Sequence, residues 1–272
     1  MVSDKYSFKS FSDNLFYSQQ NARLVDMASV GSGQRILDLA CGTGGVTRLI
    51  AERLFGAKDS VVIALDHSAS ALRQAVEELS DVSDIAIQFV QSQVEQASQS
   101  VKDSVDTVIF CNAIHYVPDK EALLNEISKI IKPGGKLAFN TTFFEGAHPP
   151  ETLSFYRKWM LKAIRFLRNE YGILPNKKAK TEARKQLSIN EYATLVENQG
   201  FRIDRQEVDK VDFTLEGFLD ISTFEDFIAG VMPGVPLDKA STSLKAGILQ
   251  TFEELDLQFI HRNWLDIVAI KN

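Results

Sequence analysis

The segment Arg35-Ile36-Leu37-Asp38-Leu39-Ala40-Cys41-Gly42-Thr43-Gly44-Gly45 carries the clearest chemical signal in the chain. An apolar run ends in small residues at 40, 42 and 44, with the acidic Asp38 two positions before the first. Small residues let a ligand lie directly against the backbone, where a side chain would collide. A helix that follows at once offers it free N–H groups. The dinucleotide spacing G-x-G-x-x-G is not met, because its third glycine, counted from Gly42 and Gly44, would fall on Thr47. A second acid, Asp66, ends the next apolar run 22 positions after Gly44. A carboxylate at the tip of a second strand can accept both hydroxyls of a ribose. His115, in Cys111-Asn112-Ala113-Ile114-His115-Tyr116, is a candidate general base, since an imidazole titrates near neutrality. A structural histidine, hydrogen-bonded within its loop, is an equal alternative. Tyr17 and His148 are weaker catalytic candidates, followed by Glu145, Tyr116 and His261. No His/Asp/Glu cluster has convincing metal-ligand spacing, so no metal site is expected.

These residues need a scaffold, and the pattern around them supplies one. Strand-like runs at Arg35–Ala40, Val61–Leu65, Ile85–Val90, Asp106–Cys111 and Lys136–Thr141 alternate with helical spacing at Val46–Leu54, Ala69–Leu79 and Lys120–Ile131. Such alternation predicts βαβ units and a mostly parallel sheet. Pro133-Gly134-Gly135 is expected to end the third helix. Beyond Thr142 the rhythm breaks. Glu151–Tyr171 reads as an amphipathic helix with a stripe of Tyr156, Trp159, Met160, Ala163, Ile164, Leu167 and Tyr171. Ser188-Ile189-Asn190-Glu191 is a capping-box sequence for a helix ending before Gly200. Phe201–Leu215 reads as a strand, Glu216–Ile260 as an irregular stretch rich in Phe and Leu, and Trp264–Ile270 as a last strand antiparallel to Phe201–Leu215.

The chain has 272 residues, 44% of them apolar, enough for one α/β domain with a sizeable addition. Its net charge of −6 argues against a general nucleic-acid binder. Two cysteines, Cys41 and Cys111, cannot build a disulfide framework, so a reducing cytoplasm is the expected compartment. Both are expected to be small buried fillers, a redox switch being the minor reading. No signal peptide or run of ~18 apolar residues is visible.

The spacing at 38, 40, 42 and 44 resembles motif I of the class I S-adenosylmethionine-dependent methyltransferases, D-x-G-x-G-x-G, with Ala40 at the first glycine. Four further segments match that family in order. They are Val61–Asp66, Phe89–Glu95, Asp106–Asp119 and Lys132–Lys136. The branch most resembled includes the ubiquinone/menaquinone-type and other small-molecule methyltransferases. The resemblance implies a Rossmann-like seven-stranded, mostly parallel sheet with an antiparallel last strand, plus an α-helical cap built from insertions. It implies S-adenosyl-L-methionine as cofactor and S-adenosyl-L-homocysteine as product. Asp38, Ala40, Cys41, Gly42 and Gly44 would form the cofactor turn, and Asp66 would hold the ribose. His67 would flank the adenine. Gln93, where many members have Asp, would accept from the adenine amino group, and the Val94 N–H would donate to the ring. Asn112, at the fourth strand's tip, would lie beside the methionine part.

The expected organisation is residues 1–142 as N-terminal helices and cofactor-binding core, 143–187 as a helical cap insertion, 188–215 as core, 216–260 as a second cap insertion and 261–272 as the last strand. The expected function is methylation, at carbon or oxygen, of a small, fairly hydrophobic metabolite. Two other readings stay open: a bound cofactor serving a non-methylating reaction such as cyclisation, and a non-catalytic cofactor sensor. Residues 157–185 hold ten basic side chains against Glu170 and Glu182. That stretch reads as a solvated helix face with a loop, or as a contact for an acidic substrate group, an acidic carrier protein or an anionic membrane surface.

Overall fold

The structure, a computed structural model, describes residues 6–176 and 186–272. Lys177, Lys178, Lys180, Arg184 and Lys185 of the basic stretch lie outside the described residues. In chain order the elements are α1 (Lys9–Ser12), α2 (Leu15–Ala28), β1 (Arg35–Leu39), α3 (Gly45–Arg53), β2 (Val61–Asp66), α4 (Ala69–Glu78), β3 (Ala86–Gln91), α5 (Ala97–Ser100), β4 (Val105–Cys111) and α6 (Lys120–Ile130). There follow β5 (Ile131–Thr141), α7 (Leu153–Tyr171), α8 (Ile189–Asn198), β6 (Phe201–Thr214), α9 (Leu215–Ile221), α10 (Glu225–Val231), α11 (Leu237–Leu255) and β7 (Phe259–Lys271).

Seven strands form one sheet in the order β3-β2-β1-β4-β5-β7-β6. The first five are parallel, and β7 runs antiparallel between β5 and β6. The order reverses between β1 and β4, and ligands of open α/β sheets bind at that switch, beyond the strands' carboxyl ends. Leu37, Leu65, Val108, Phe110 and Phe139 share one core with Leu123, Leu124 and Ile127 of α6. Ile36, Val62, Ile109 and Ala138 share a second with Leu24 and Val25 of α2 and Ile50 of α3.

The helices start where their capping chemistry says. Ser68 Oγ accepts the Ala71 N–H at 3.2 Å, and Asp119 Oδ1 accepts that of Ala122 at 2.9 Å. The capping box at Ser188 forms both of its bonds: Glu191 N–H donates to Ser188 Oγ, and Ser188 N–H donates to Glu191 Oε2.

Three expectations are corrected. Pro133-Gly134-Gly135 does not separate a helix from a strand, because the strand already begins at Ile131 and absorbs these residues at a register shift against β4. The last strand begins at Phe259, five residues earlier than Trp264. The stretch 216–260 is not irregular, since it contains α9, α10 and the 19-residue α11.

A third core belongs to these additions. Phe155, Trp159, Ala163 and Leu167 of α7 pack with Phe218, Ile228, Leu244, Ile248 and Phe252, and with Trp264 of β7. Phe11 and Tyr17, near the N-terminus, join this core. Phe8 contacts Tyr17 at 5.4 Å and Phe224 at 4.9 Å, so the N-terminal segment ties the sheet to the helical layer.

Asp266, in the middle of β7, has no exposed surface. It meets the Arg23 guanidinium, which also reaches Glu207. Burial pushes the Asp266 carboxyl up to about 7 despite Arg23, and Asp209 and Glu207 push the same way. Asp38 is likewise raised to about 7 by burial. A carboxyl raised in the folded state stabilises it below the unfolded value of about 4 and loses that contribution as pH climbs through about 7. Each group therefore takes up to about 1.4 kcal/mol per pH unit from stability across that window. Asp81, Asp106, Glu126, Glu151 and Glu254 are shifted down and so act below it. His148, lowered to about 3 by burial, acts in the opposite sense up to its unfolded value of about 6.5 and offsets one of the two carboxyls. Thermal midpoints of the native protein are expected to fall between pH 5 and 7, and Asp266→Asn should remove most of that fall. An unchanged slope in the variant would exclude Asp266 as a source.

Candidate active site

The glycine turn between β1 and α3 is built from left-handed backbone. Ala40 has φ +58°, Gly42 +55° and Gly44 +89°. At position 40 the conformation favours glycine, and alanine adopts it at a cost of about 1–2 kcal/mol. Asn112, at the tip of β4, is also left-handed at φ +46°. Ala40 and Asn112 therefore mark the tips of the two strands that flank the switch point, where backbone strain of this kind concentrates.

Gly42 and Gly44 do different work. A Cβ at Gly44 would meet Ala75 Cβ and Leu79 Cδ1, both at 3.1 Å, so this glycine lets α3 start against α4. A Cβ at Gly42 or Gly45 would meet nothing within 4 Å, which leaves open backbone at the end of β1. Asp66 stands at its rim. Its Oδ2 accepts the Gly42 N–H and its Oδ1 the Ser68 N–H, each at 2.8 Å. Asp38 accepts the Thr47 hydroxyl at 2.6 Å behind the turn, so Thr47 braces the turn where a dinucleotide site would have glycine.

His67 is largely exposed, with Nδ1 3.4 Å from Asp66 Oδ1. Gln93 caps a short 3-10 turn that begins at Val94, after β3. Gln93 is exposed and Val94 half-buried. Cys41 and Cys111 are both buried, and burial pushes each thiol well above its ordinary range. Such thiols stay protonated and act as packing.

At the tip of β4, Asn112 Oδ1 accepts both the N–H and the hydroxyl of Thr142, at 3.0 and 3.1 Å. The Asn112 N–H donates to Asn140 Oδ1 at 2.8 Å, and Asn140 Nδ2 donates to Asn21 at 3.1 Å. This amide relay fixes the ends of β4 and β5 against α2. No sequence signal marked it, because Asn140 and Thr142 gain their meaning only when the strands are adjacent.

His115 is buried in a 3-10 turn just past β4. Its Nδ1 lies 3.1 Å from the Thr141 hydroxyl, and its ring is held by Tyr116 at 4.3 Å and Phe143 at 5.4 Å. Tyr17 is buried too, and burial with the nearby Cys111 raises its phenol well above the ordinary value. It suits hydrogen-bond donation rather than proton abstraction. His148 lies elsewhere, its ring tilted against that of Tyr156 at 4.0 Å. Burial, with Arg262 nearby, lowers it to about 3, so it is neutral at physiological pH. His261 is paired with Asp212 at 2.8 Å on an exposed edge and does not join the site. Among the described residues, no three His, Cys, Asp or Glu side chains gather in a way that could hold a metal. Nor is any described helix long and apolar enough to cross a membrane.

Open backbone, left-handed strand tips and a rim carboxylate at the switch point define a Rossmann-like site of the nucleoside-binding kind. The methyltransferase-domain family profile matches residues 31–200, well over half of the chain. The chain therefore belongs to that family, the class I S-adenosylmethionine-dependent methyltransferases. It is similar to the ubiquinone/menaquinone biosynthesis C-methyltransferase UbiE of Cronobacter sakazakii, 33% identical over 114 residues. That match covers 42% of this chain and 44% of the relative, so less than half of the relative's length is spanned. Among solved structures, the fold is shared with the cyclopropane synthase MmaA2 of Mycobacterium tuberculosis (TM-score 0.59, 12% identity, 99% of this chain and 95% of that one). It is also shared with phosphoethanolamine N-methyltransferase 2 of Haemonchus contortus, which holds S-adenosylhomocysteine (TM-score 0.56, 18% identity, 97% and 56%). The open turn at Gly42 and the carboxylate beside it fit that cofactor.

Proposed function

We propose that the protein methylates a small, fairly hydrophobic acceptor, at carbon or oxygen, between the carboxyl edge of the sheet and the helical layer. The observation that carries this reading is the pair of left-handed tips, Ala40 and Asn112, at the switch point, with Tyr17 of the helical layer's aromatic core beside Cys111 at the end of β4. Asp38, Ala40, Cys41, Gly42 and Gly44 shape the cofactor turn, and Asp66 takes the ribose hydroxyls. His67, Gln93 and Val94 border the adenine, and Asn112 borders the methionine end. When bound, the cofactor supplies an electrophilic methyl group.

The chain's own residues must hold the acceptor in line and keep water out. In this reading the described residues of 143–187 and 216–260 are the cap that does so, over a core drawn from the described residues of 1–142, 188–215 and 261–272. His115, oriented by Thr141 and the two rings, takes the acceptor's proton. A positioned base contributes roughly a hundredfold or more. His115→Ala is therefore expected to lower turnover about a hundredfold and to leave S-adenosylhomocysteine affinity within about twofold. Unchanged turnover would remove His115 from the reaction. The reading as a whole is tested by incubation with methyl-labelled S-adenosylmethionine and a cytoplasmic metabolite extract. Label in a small apolar product is expected, and cofactor binding without transfer to any fraction would overturn methylation.

A further inference from the structure

We propose that Arg262 and Tyr156, with His148 beside them, form a seat for a carboxylate group of the acceptor molecule, at the seam between β7 and α7. This rests on the methyltransferase reading and narrows its acceptor to an organic acid.

Arg262 is half-buried, and its Nη2 donates to the Thr142 carbonyl at 2.7 Å. Among the described residues no carboxylate pairs with it, whereas Arg23, Arg35, Arg48 and Arg53 each hold one. Its Nε–H is closed off from solvent and meets no acceptor. The guanidinium lies 5.9 Å from the centre of the Tyr156 ring, and the Tyr156 hydroxyl is likewise closed off without a partner. His148 packs against the Tyr156 ring as a neutral imidazole, so it adds no charge beside Arg262. A half-buried cation and two unpaired donors are costly unless something charged and acceptor-rich answers them. The planar guanidinium fork matches two carboxylate oxygens, and a phenol hydroxyl can donate a further bond.

The seat is tied to the reaction centre. Arg262 is anchored on Thr142, which Asn112 also grips, and the preceding residue, Thr141, carries His115. On this proposal an acceptor held by its acid at Arg262 lies along the strand end that also orients His115. Phe155 and Phe218, both buried, back the Tyr156 ring at 5.1 and 6.1 Å and hold it in place. Two lysines in the described part of the basic stretch are otherwise engaged. Lys158 and Lys162 both pair with Glu254 at 2.5 Å on the outside of α7 and α11.

The test uses benzoate and its neutral isostere benzamide, titrated by ligand-observed NMR against the full chain with and without S-adenosylhomocysteine. The native protein is expected to prefer benzoate by about tenfold or more. Arg262→Gln should erase that preference while benzamide and S-adenosylhomocysteine affinities stay within about twofold. Tyr156→Phe, which leaves the Thr142 anchor intact, should weaken benzoate by about threefold or more. Thermal midpoints confirm that each variant is folded. Should Arg262→Gln fail to fold, Arg262→Lys keeps the charge and a donor for Thr142 but loses the fork, and should still weaken benzoate. A native protein without preference, or a preference that survives these substitutions, would overturn the proposal. So would a parallel loss of S-adenosylhomocysteine, which would give the arginine to the cofactor. Failure of the methyltransferase reading would show separately, as a native protein that does not bind S-adenosylhomocysteine at all.

Discussion

Asp66→Ala is expected to weaken S-adenosylhomocysteine binding by about a hundredfold or more, which is about 2.7 kcal/mol. Two losses combine. In its proposed role the carboxylate would no longer accept the ribose hydroxyls, and charge-assisted bonds of that kind contribute roughly 1.5–3 kcal/mol each. Its oxygens also hold the Gly42 and Ser68 N–H groups, so the variant releases the glycine turn and the entry to α4 together. Asp66→Asn separates the two effects only in part. An amide offers one acceptor oxygen, and its NH2 would face a backbone N–H that also donates. Affinity should therefore fall for Asn as well, by about tenfold or more. Isothermal titration measures both, with the thermal midpoint as a check on folding. An affinity within about threefold of native for the alanine variant would mean that Asp66 is only a turn-builder.

The cofactor half of this protein was legible because its signals are local. An apolar run, a turn of small residues and a helix lie within twenty consecutive positions from Arg35 to Leu54. The strand end at Asp66 and the Ser188 capping box could be read in the same way, each from its own few neighbours. The helical layer with its proposed acceptor seat was not legible, for two physical reasons. One is that its polar groups come from strands distant in sequence. Arg262 looks like a loop residue if the last strand starts at Trp264. Carried back two residues, the strand period puts Arg262 on the same side as Trp264, and that register is settled only by pairing with Val211 of β6. The other is that α11 hides its period. Ala240, Leu244, Gly247, Ile248, Thr251 and Phe252 fall on one buried helical face. Alanine, glycine and threonine on that face dilute the apolar stripe that a sequence reading looks for. Only the fold shows that Phe8 and Phe11 serve the core of the helical layer.

That diluted face carries the second large effect. Gly247→Leu is expected to destabilise the protein by about 3 kcal/mol or more and to lower the thermal midpoint by roughly 6–12 °C. A Cβ at Gly247 would sit 2.6 Å from the Ala163 nitrogen and 2.9 Å from its Cα and Cβ, so α7 and α11 touch backbone to backbone here. The indole N–H of Trp159, one turn earlier on α7, donates to the Leu244 carbonyl at 2.9 Å and fixes the same approach. Gly247→Ala is the sharper experiment, because two effects oppose each other in it. Helix propensity alone favours alanine by about 1 kcal/mol. The contact with Ala163 is to main chain, which cannot swing aside, so the helices must separate and Trp159, Leu244 and Ile248 lose contact around the new methyl group. Overpacking of this kind costs about 1–3 kcal/mol, enough to outweigh the propensity gain. A lower midpoint for Gly247→Ala is the expected result, and a higher one would show that the two helices are free to shift apart. Because Tyr156 rides on α7, the same variant should also weaken benzoate at the Arg262 seat while leaving S-adenosylhomocysteine at its native affinity. Loss of both ligands together would mean that the helical layer and the sheet fold as a single cooperative unit.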